Sequence, residues 1–175
     1  MLTGQKICLS PLRAAESEQL FQWINDRSLL THSAPYKPTH HNKHLEWFNS
    51  LTSRSDLAIF GIRSKSDDVL VGTCQLHSIS QIHRSAELQI RIGAEGARGK
   101  GFGKDACKLL LHHGFNDLNL HRIYLHVLAT NIAAMALYKS VGLTFEGKLR
   151  DAVFIDSVWT DVVLMGILRR EYLAE

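Results

Sequence analysis

Cysteine is scarce in this chain and poorly spaced for a framework. Cys8, Cys74 and Cys107 are odd in number, far apart and without a C-x-x-C pair. Neither a disulfide scaffold nor a zinc ribbon is indicated, and a reducing compartment is the default expectation. No run approaches the ~20 apolar residues of a membrane helix. The opening MLTGQKICLSPLR lacks the apolar stretch of a secretion signal. Linkers, repeats and low-complexity blocks are missing as well. Strong charge is also lacking: a net charge of +3 and a pI near 8.8 suit a small anionic ligand and are too weak to argue for nucleic acid. The expectation is a soluble, cytoplasmic chain, one domain over residues 1–175, with no nucleic-acid or membrane partner.

The first part reads as a strand (QKICLSPL), then an amphipathic helix (RAAESEQLFQWINDR) with Leu20, Phe21, Trp23 and Ile24 on one stripe. A second helix, THHNKHLEWFNSL, follows Pro38, with Thr39 as its expected cap. DLAIFGIRS, DVLVGTCQLHSIS and RSAELQIRIG are three strand-like runs separated by turn residues. Behind them lie a glycine-rich loop with its helix, the short strand HRIYLHVLA, and the helix NIAAMALYKSVG. Asn131 is placed to cap that last helix and Gly142 to stop it. LTFEGKLRDAVFIDSVWTDVVLMGIL reads as two long strands around the turn IDS. The order is mixed α+β with a strand–helix–strand unit inside it. The long, apolar late strands could pair across a homodimer.

The glycine loop GARGKGFGKDA carries the densest signal. A Walker A loop needs a hydroxyl after Gly103-Lys104, and Asp105 stands there instead. Gly101-Phe102-Gly103-Lys104-Asp105-Ala106 fits a dinucleotide fingerprint. The next strand, however, ends LHVLATN with no acid to hold a ribose. A solvated glycine turn is the remaining plain reading. Amide N–H groups at a helix N-terminus, with glycines that let a ligand approach the backbone, form a pyrophosphate site. Arg98, Lys100 and Lys104 add charge to it.

Arg98-Gly99-Lys100-Gly101-Phe102-Gly103 resembles the acyl-CoA loop, Arg/Gln-x-x-Gly-x-Gly/Ala, of the GNAT superfamily of N-acyltransferases. A second signature of that superfamily, N-x-x-A-x-x-x-Y-x-x-x-G-F, is matched by Asn131, Ala134, Tyr138, Gly142 and Leu143, with Leu where Phe is usual. The resemblance covers roughly residues 55 to 173 and is loose before that. HRSAELQIRIG and LHRIYLHVLATNIAAMALYKSVGLTFEGKLRD are similar to the branch containing ribosomal-protein N-terminal, spermidine and nucleotide-amino-sugar acetyltransferases.

The resemblance implies a single-domain α+β fold. It would have a mixed, mostly antiparallel twisted sheet of about seven strands with a splayed central pair, flanked by about four helices. It implies acetyl-CoA as co-substrate and no metal. Ile90, Arg91 and Ile92 on the splayed strand would pair with the pantetheine amides, the loop Arg98 to Lys104 would take the pyrophosphate, and Asn131 would hydrogen-bond the pantetheine arm. Tyr138 would protonate the leaving thiolate. A phenol suits this, because its ordinary pKa of about 10 exceeds that of a thiol, ~8.5. Glu87 is the candidate base, directly or through water, against the plainer reading of a strand carboxylate in solvent or an ion pair. Direct attack needs no acyl-enzyme, so Cys107 is expected only to pack. His40 and His44 have i, i+4 spacing but no supporting Cys or HExxH glutamate, so they are read as surface or pocket residues.

The acceptor would lie between Trp23–Trp47 and Val153–Trp159. Residues 1–60 hold Glu16, Glu18, Asp26, Glu46 and Asp56 against Lys6, Arg13, Arg27, Lys37, Lys43 and Arg54. A polyamine site would concentrate carboxylates. The balance therefore favours an amino sugar or a peptide N-terminus, with a spermidine-type polyamine as the alternative. A non-catalytic CoA-binding module is the other class.

Overall fold

The computed structural model describes residues 1–30 and 35–172. Its centre is an eight-stranded sheet in the order β1-β2-β3-β4-β5-β6-β8-β7. β1 (Leu2–Thr3), β2 (Ile7–Ser10), β3 (Ala58–Ser64), β4 (Leu70–Ser80) and β5 (Ser85–Ile92) pair in succession, all antiparallel. β6 (Arg122–Leu128) is parallel to β5, and β8 (Val158–Leu168) inserts between β6 and β7 (Thr144–Ile155). Helices α1 (Ser17–Asn25), α2 (Arg27–Leu30) and α3 (His41–Ser50) precede β3. α4 (Phe102–His112) makes the β5–β6 crossover, α5 (Ile132–Lys139) joins β6 to β7, and α6 (Arg169–Tyr172) follows β8.

The α+β class, the mixed sheet and the splayed pair are as expected. The eighth strand is a two-residue ribbon, in which Leu2 and Thr3 fold back on Leu9 and Cys8. The two extra helices, α2 and α6, are single turns. The cap expected of Thr39 belongs to His40. Thr39 is held otherwise: its N–H donates to Asn25 Oδ1 at 2.9 Å, and its carbonyl accepts from Asn25 Nδ2 at 3.1 Å. That pair of bonds fixes the end of α1 against the start of α3. α1 also begins later than the apolar stripe implied. Glu16 Oε2 accepts from the Arg13 N–H at 2.7 Å and holds Ala14–Glu16 as a 3-10 turn. The turn between β7 and β8 is Asp156-Ser157, both with positive φ (48° and 66°), the hand that matches the twist of a two-residue hairpin.

The core lies between the sheet and α4, whose Ala106, Cys107, Leu110 and Leu111 are buried against Leu76, Ala86, Leu88, Ile123 and Leu125. Alternation on β5 sends Ala86, Leu88, Ile90 and Ile92 to that core. It leaves Glu87, Gln89 and Arg91 for the opposite face, under α1 and α3. One polar pair is buried with the core: Arg63 and Glu16 expose only 3% and 10% of their side chains.

The parallel pairing of β5 with β6 stops after three residues: Ser85↔Arg122, Ala86↔Ile123 and Glu87↔Tyr124. β6 keeps its other partner, β8, as far as Leu128↔Val162. The two strands diverge beyond Glu87. The edge of β5 from Leu88 to Ile92 therefore faces an opening in mid-sheet, where unpaired backbone groups want a ligand.

Candidate active site

The opening is a cleft of about 960 Å³. Ile90, Arg91 and Ile92 form one wall, and Asn131 and Tyr138 of α5 form the other. Arg98, Gly99, Gly101, Phe102, Gly103 and Lys104 stand at its head. Two of the expected site residues are not in the lining. Lys100 is exposed, and its carbonyl accepts from Lys6 Nζ at 2.9 Å. Glu87 sits at the apex where the strands part.

The loop has the conformation its glycines permit. Gly99 and Gly101 take φ of 77° and 86°, where an L side chain is strained. Gly101 is the N-cap of α4, and no side chain caps that helix. The first-turn amides of α4 thus point toward the cleft with helix-end positive potential and with Arg98 and Lys104 beside them. Asp105 anchors this end. Its Oδ2 accepts from the Lys6 and Ile7 N–H groups at 2.7 and 3.2 Å, tying α4 to β2. A Cβ at Gly4 would meet this carboxylate at 2.5 Å, so the approach depends on that glycine.

Asn131 Oδ1 accepts from the Ala134 N–H at 3.1 Å and caps α5. Tyr138, two turns on, faces the cleft. Burial, and then the neighbouring Cys107, push its phenol above the ordinary tyrosine value. Burial also pushes the Cys107 thiol up to about 12, so it is held as a thiol. Glu87 Oε1 lies 2.8 Å from His126 Nδ1, and His126 lines the cleft. Sequence reasoning missed His126. The signal was there in RIYLHVL, where alternation buries Ile123, Leu125 and Val127 and puts Tyr124 and His126 on the Glu87 face.

A second cavity, of about 320 Å³, lies on the other face of β5 and shares Gln89 and Arg91 with the cleft. Trp23 of α1, Lys43, His44 and Trp47 of α3, and Thr73 and Gln75 of β4 complete most of its wall. No carboxylate lines it among the described residues. Of the expected Trp23–Trp47 wall, residues 31–34 lie outside the described residues. Of the expected Val153–Trp159 wall, Val153 lines the cleft, while Phe154 and Trp159 pack on each other, both exposed. The hairpin instead meets α2 through Arg27 Nη2 and Asp156 Oδ1 at 2.6 Å. His44, expected at the surface or in a pocket, lines the second cavity. It is buried, with Nε2 2.8 Å from the Ser17 carbonyl and its ring against Phe21 and Trp47. Among the described residues no group of three or more His, Cys, Asp or Glu could hold a metal. No helix of the described residues is long and apolar enough to cross a membrane.

A splayed parallel pair, a glycine loop at a helix N-terminus and a tyrosine across the cleft together suit a long thioester with a pyrophosphate at one end. The family model for the acetyltransferase (GNAT) domain matches residues 6–144. The spermidine N(1)-acetyltransferase of Escherichia coli K12 is 30% identical over 185 aligned positions, covering 100% of this chain and 92% of that protein. The spermidine N(1)-acetyltransferase of Vibrio cholerae is 44% identical over 104 residues; that match spans 59% of this chain and 60% of the relative's length. A crystal structure of the Vibrio cholerae spermidine N-acetyltransferase in complex with CoA and spermine superposes with a TM-score of 0.89 at 32% identity, covering 96% of this chain and 98% of that one. The chain belongs to the GNAT family of acetyltransferases, which draw the acetyl group from acetyl-CoA.

Proposed function

We propose that the chain transfers the acetyl group of acetyl-CoA to a primary amine by direct attack. The observation that carries this reading is the meeting of three features in one cleft: the unpaired edge of β5, the glycine loop and Tyr138. The backbone of Ile90, Arg91 and Ile92 would hydrogen-bond the pantetheine amides. The loop Arg98–Lys104 would hold the pyrophosphate, and Asn131 would orient the arm. Lys100 would add its charge from outside the lining, its carbonyl being held by Lys6 Nζ. Gly101→Ala forces an L side chain to φ +86° and costs about 1–2 kcal/mol. The expected result is an acetyl-CoA Kd raised roughly tenfold by calorimetry; an unchanged Kd removes the loop from the pyrophosphate site.

Glu87 would take the amine proton. Its contact with His126 Nδ1 also orients the imidazole, whose Nε2 is then available as a relay at the cleft. Glu87→Gln is expected to lower kcat about 10²- to 10⁴-fold with acetyl-CoA affinity intact. Equal losses in His126→Asn would make the pair a relay. A full rate in His126→Asn would leave Glu87 acting directly or through water.

For the acceptor, the relatives' names favour a spermidine-type polyamine over the amino sugar or peptide N-terminus. The cavity chemistry favours the latter classes: among the described residues Lys43 and Arg91 line it and no carboxylate does, whereas a polycation calls for carboxylates. We therefore propose a small-molecule or peptide amine without excess positive charge. An acetylation screen over spermidine, spermine, amino sugars and peptide N-termini tests this, and turnover of the polyamines alone overturns it.

A further inference from the structure

Glu87, Gln89 and Arg91 share one face of β5, and of the three Gln89 and Arg91 line both the second cavity and the cleft. Two of them are already engaged. Glu87 holds His126, and Gln89 Oε1 accepts from Gln75 Nε2 at 2.7 Å. Arg91 differs. It is only partly buried, it lines both cavities, and among the described residues its guanidinium makes no hydrogen bond or ion pair with any side chain or carbonyl. Arg27 and Arg63, by contrast, each have an anion, Asp156 and Glu16. A guanidinium that faces a cavity with no partner is open to an incoming anion, and its planar fork suits a carboxylate or phosphate. Burial alone lowers its pKa from the ordinary arginine value, and no nearby carboxylate opposes that fall. Lys43, which also lines the cavity, points its ammonium to Glu46 at 2.8 Å on the exposed side.

We infer that Arg91 receives an anionic group carried by the acceptor, so that the substrate is an amine that also bears a carboxylate or a phosphate. This rests on the acetyltransferase reading and narrows it. Glu87 and Arg91 are four residues apart on one strand, about 13 Å at roughly 3.3 Å per residue. An acceptor laid along this face would place its amine at the apex beside Glu87 and its acid near Arg91. The Gln75–Gln89 amide pair would lie between them, within reach of hydroxyl or amide groups. Trp23 and Trp47 would close over it from the helix side. Such an arrangement excludes a polyamine, which would bring only positive charge to the guanidinium.

The test is calorimetry on the protein saturated with CoA, using glucosamine 6-phosphate against glucosamine and an acidic against an amidated short peptide. The phosphate and peptide pairs separate the two sources of the anion. The anionic member of at least one pair is expected to bind about 10- to 100-fold more tightly, and Arg91→Gln is expected to erase that preference while acetyl-CoA affinity stays within twofold. Equal binding within both pairs, or no binding of any member, overturns the inference. So does an acetyl-CoA affinity that falls in Arg91→Gln, because the guanidinium would then serve the cofactor's phosphates. Failure of the underlying reading shows separately, as wild-type protein that does not bind acetyl-CoA or acetylates no amine.

Discussion

Tyr138→Phe is expected to bind acetyl-CoA with unchanged affinity and to lose about 10²- to 10⁴-fold in kcat. The substitution removes one hydroxyl and keeps the ring, which is partly buried against the core with Ala134, Met135 and Leu137. Packing should therefore survive, and a thermal melt within about 2 °C of the wild type would show that it does. The loss in rate would come from the leaving group. A thiolate expelled into the cleft needs a proton, and Tyr138 is the hydroxyl of α5 that lines the cleft among the described residues, while Ser140, just past the helix end, donates its own hydroxyl to the Leu137 carbonyl. Burial raises the Tyr138 phenol, so it holds its proton throughout the neutral range. Sign matters here. An upward shift moves any loss of rate from Tyr138 ionisation above pH 10, the ordinary tyrosine value. A kcat profile that falls between pH 8 and 9 in the wild type and is flat in the Phe variant would contradict this placement. Full turnover by Tyr138→Phe would remove the acid role altogether and leave protonation to water.

Much of this site could be read from the sequence because it is local. The glycine loop, its helix and the Asn131–Tyr138 helix are contiguous motifs visible along the chain, and the chemistry expected of them is what their resemblance to a family implies. Alternation in SAELQIRI likewise fixes which residues face the core. What was not legible depends on pairs far apart in sequence. His126 acquires meaning only when β6 lies beside β5 and brings it to Glu87, 39 residues away. Asp105 argued against a Walker loop as a residue type. Its actual work, capping the backbone of Lys6 and Ile7, requires a contact across 99 residues. Arg91 was assigned by position to a backbone contact, which is independent of side chain. The unpaired guanidinium beneath Trp23 appears only once α1 is folded over the sheet. The cavity on the helix side takes Trp23, Lys43 and Trp47 from the expected Trp23–Trp47 stretch, and what the sequence did not show is the share of β4 in it, because that requires the sheet to be assembled.

The buried pair Glu16–Arg63 lies outside the chemistry but sets the frame of the acceptor side, and Glu16→Ala is expected to lower stability by about 3–5 kcal/mol. Arg63 Nη2 is 2.5 Å from Glu16 Oε1 yet off the line of a hydrogen bond, so that nitrogen keeps only the charge of its neighbour. Arg63 Nε donates to Ser10 Oγ at 2.8 Å, which pins β3 to β2. Removing Glu16 would strand a guanidinium that is 2% exposed and has no other carboxylate in contact. It would also take the acceptor from the Arg13 N–H and free the 3-10 turn that starts α1. For a chain of this length each kcal/mol is worth roughly 2–4 °C, so the melting temperature should fall by about 6–20 °C. Pairing Glu16→Leu with Arg63→Met should recover most of the loss, because the penalty is the orphaned charge rather than a missing attraction. If the double variant were as unstable as Glu16→Ala, the loss would belong to the turn and to packing instead. The consequence for function is directional. α1 carries Trp23, which packs on Gly93 next to Arg91, so a loosened α1 should raise the KM of the acceptor before it disturbs acetyl-CoA on the far side of β5.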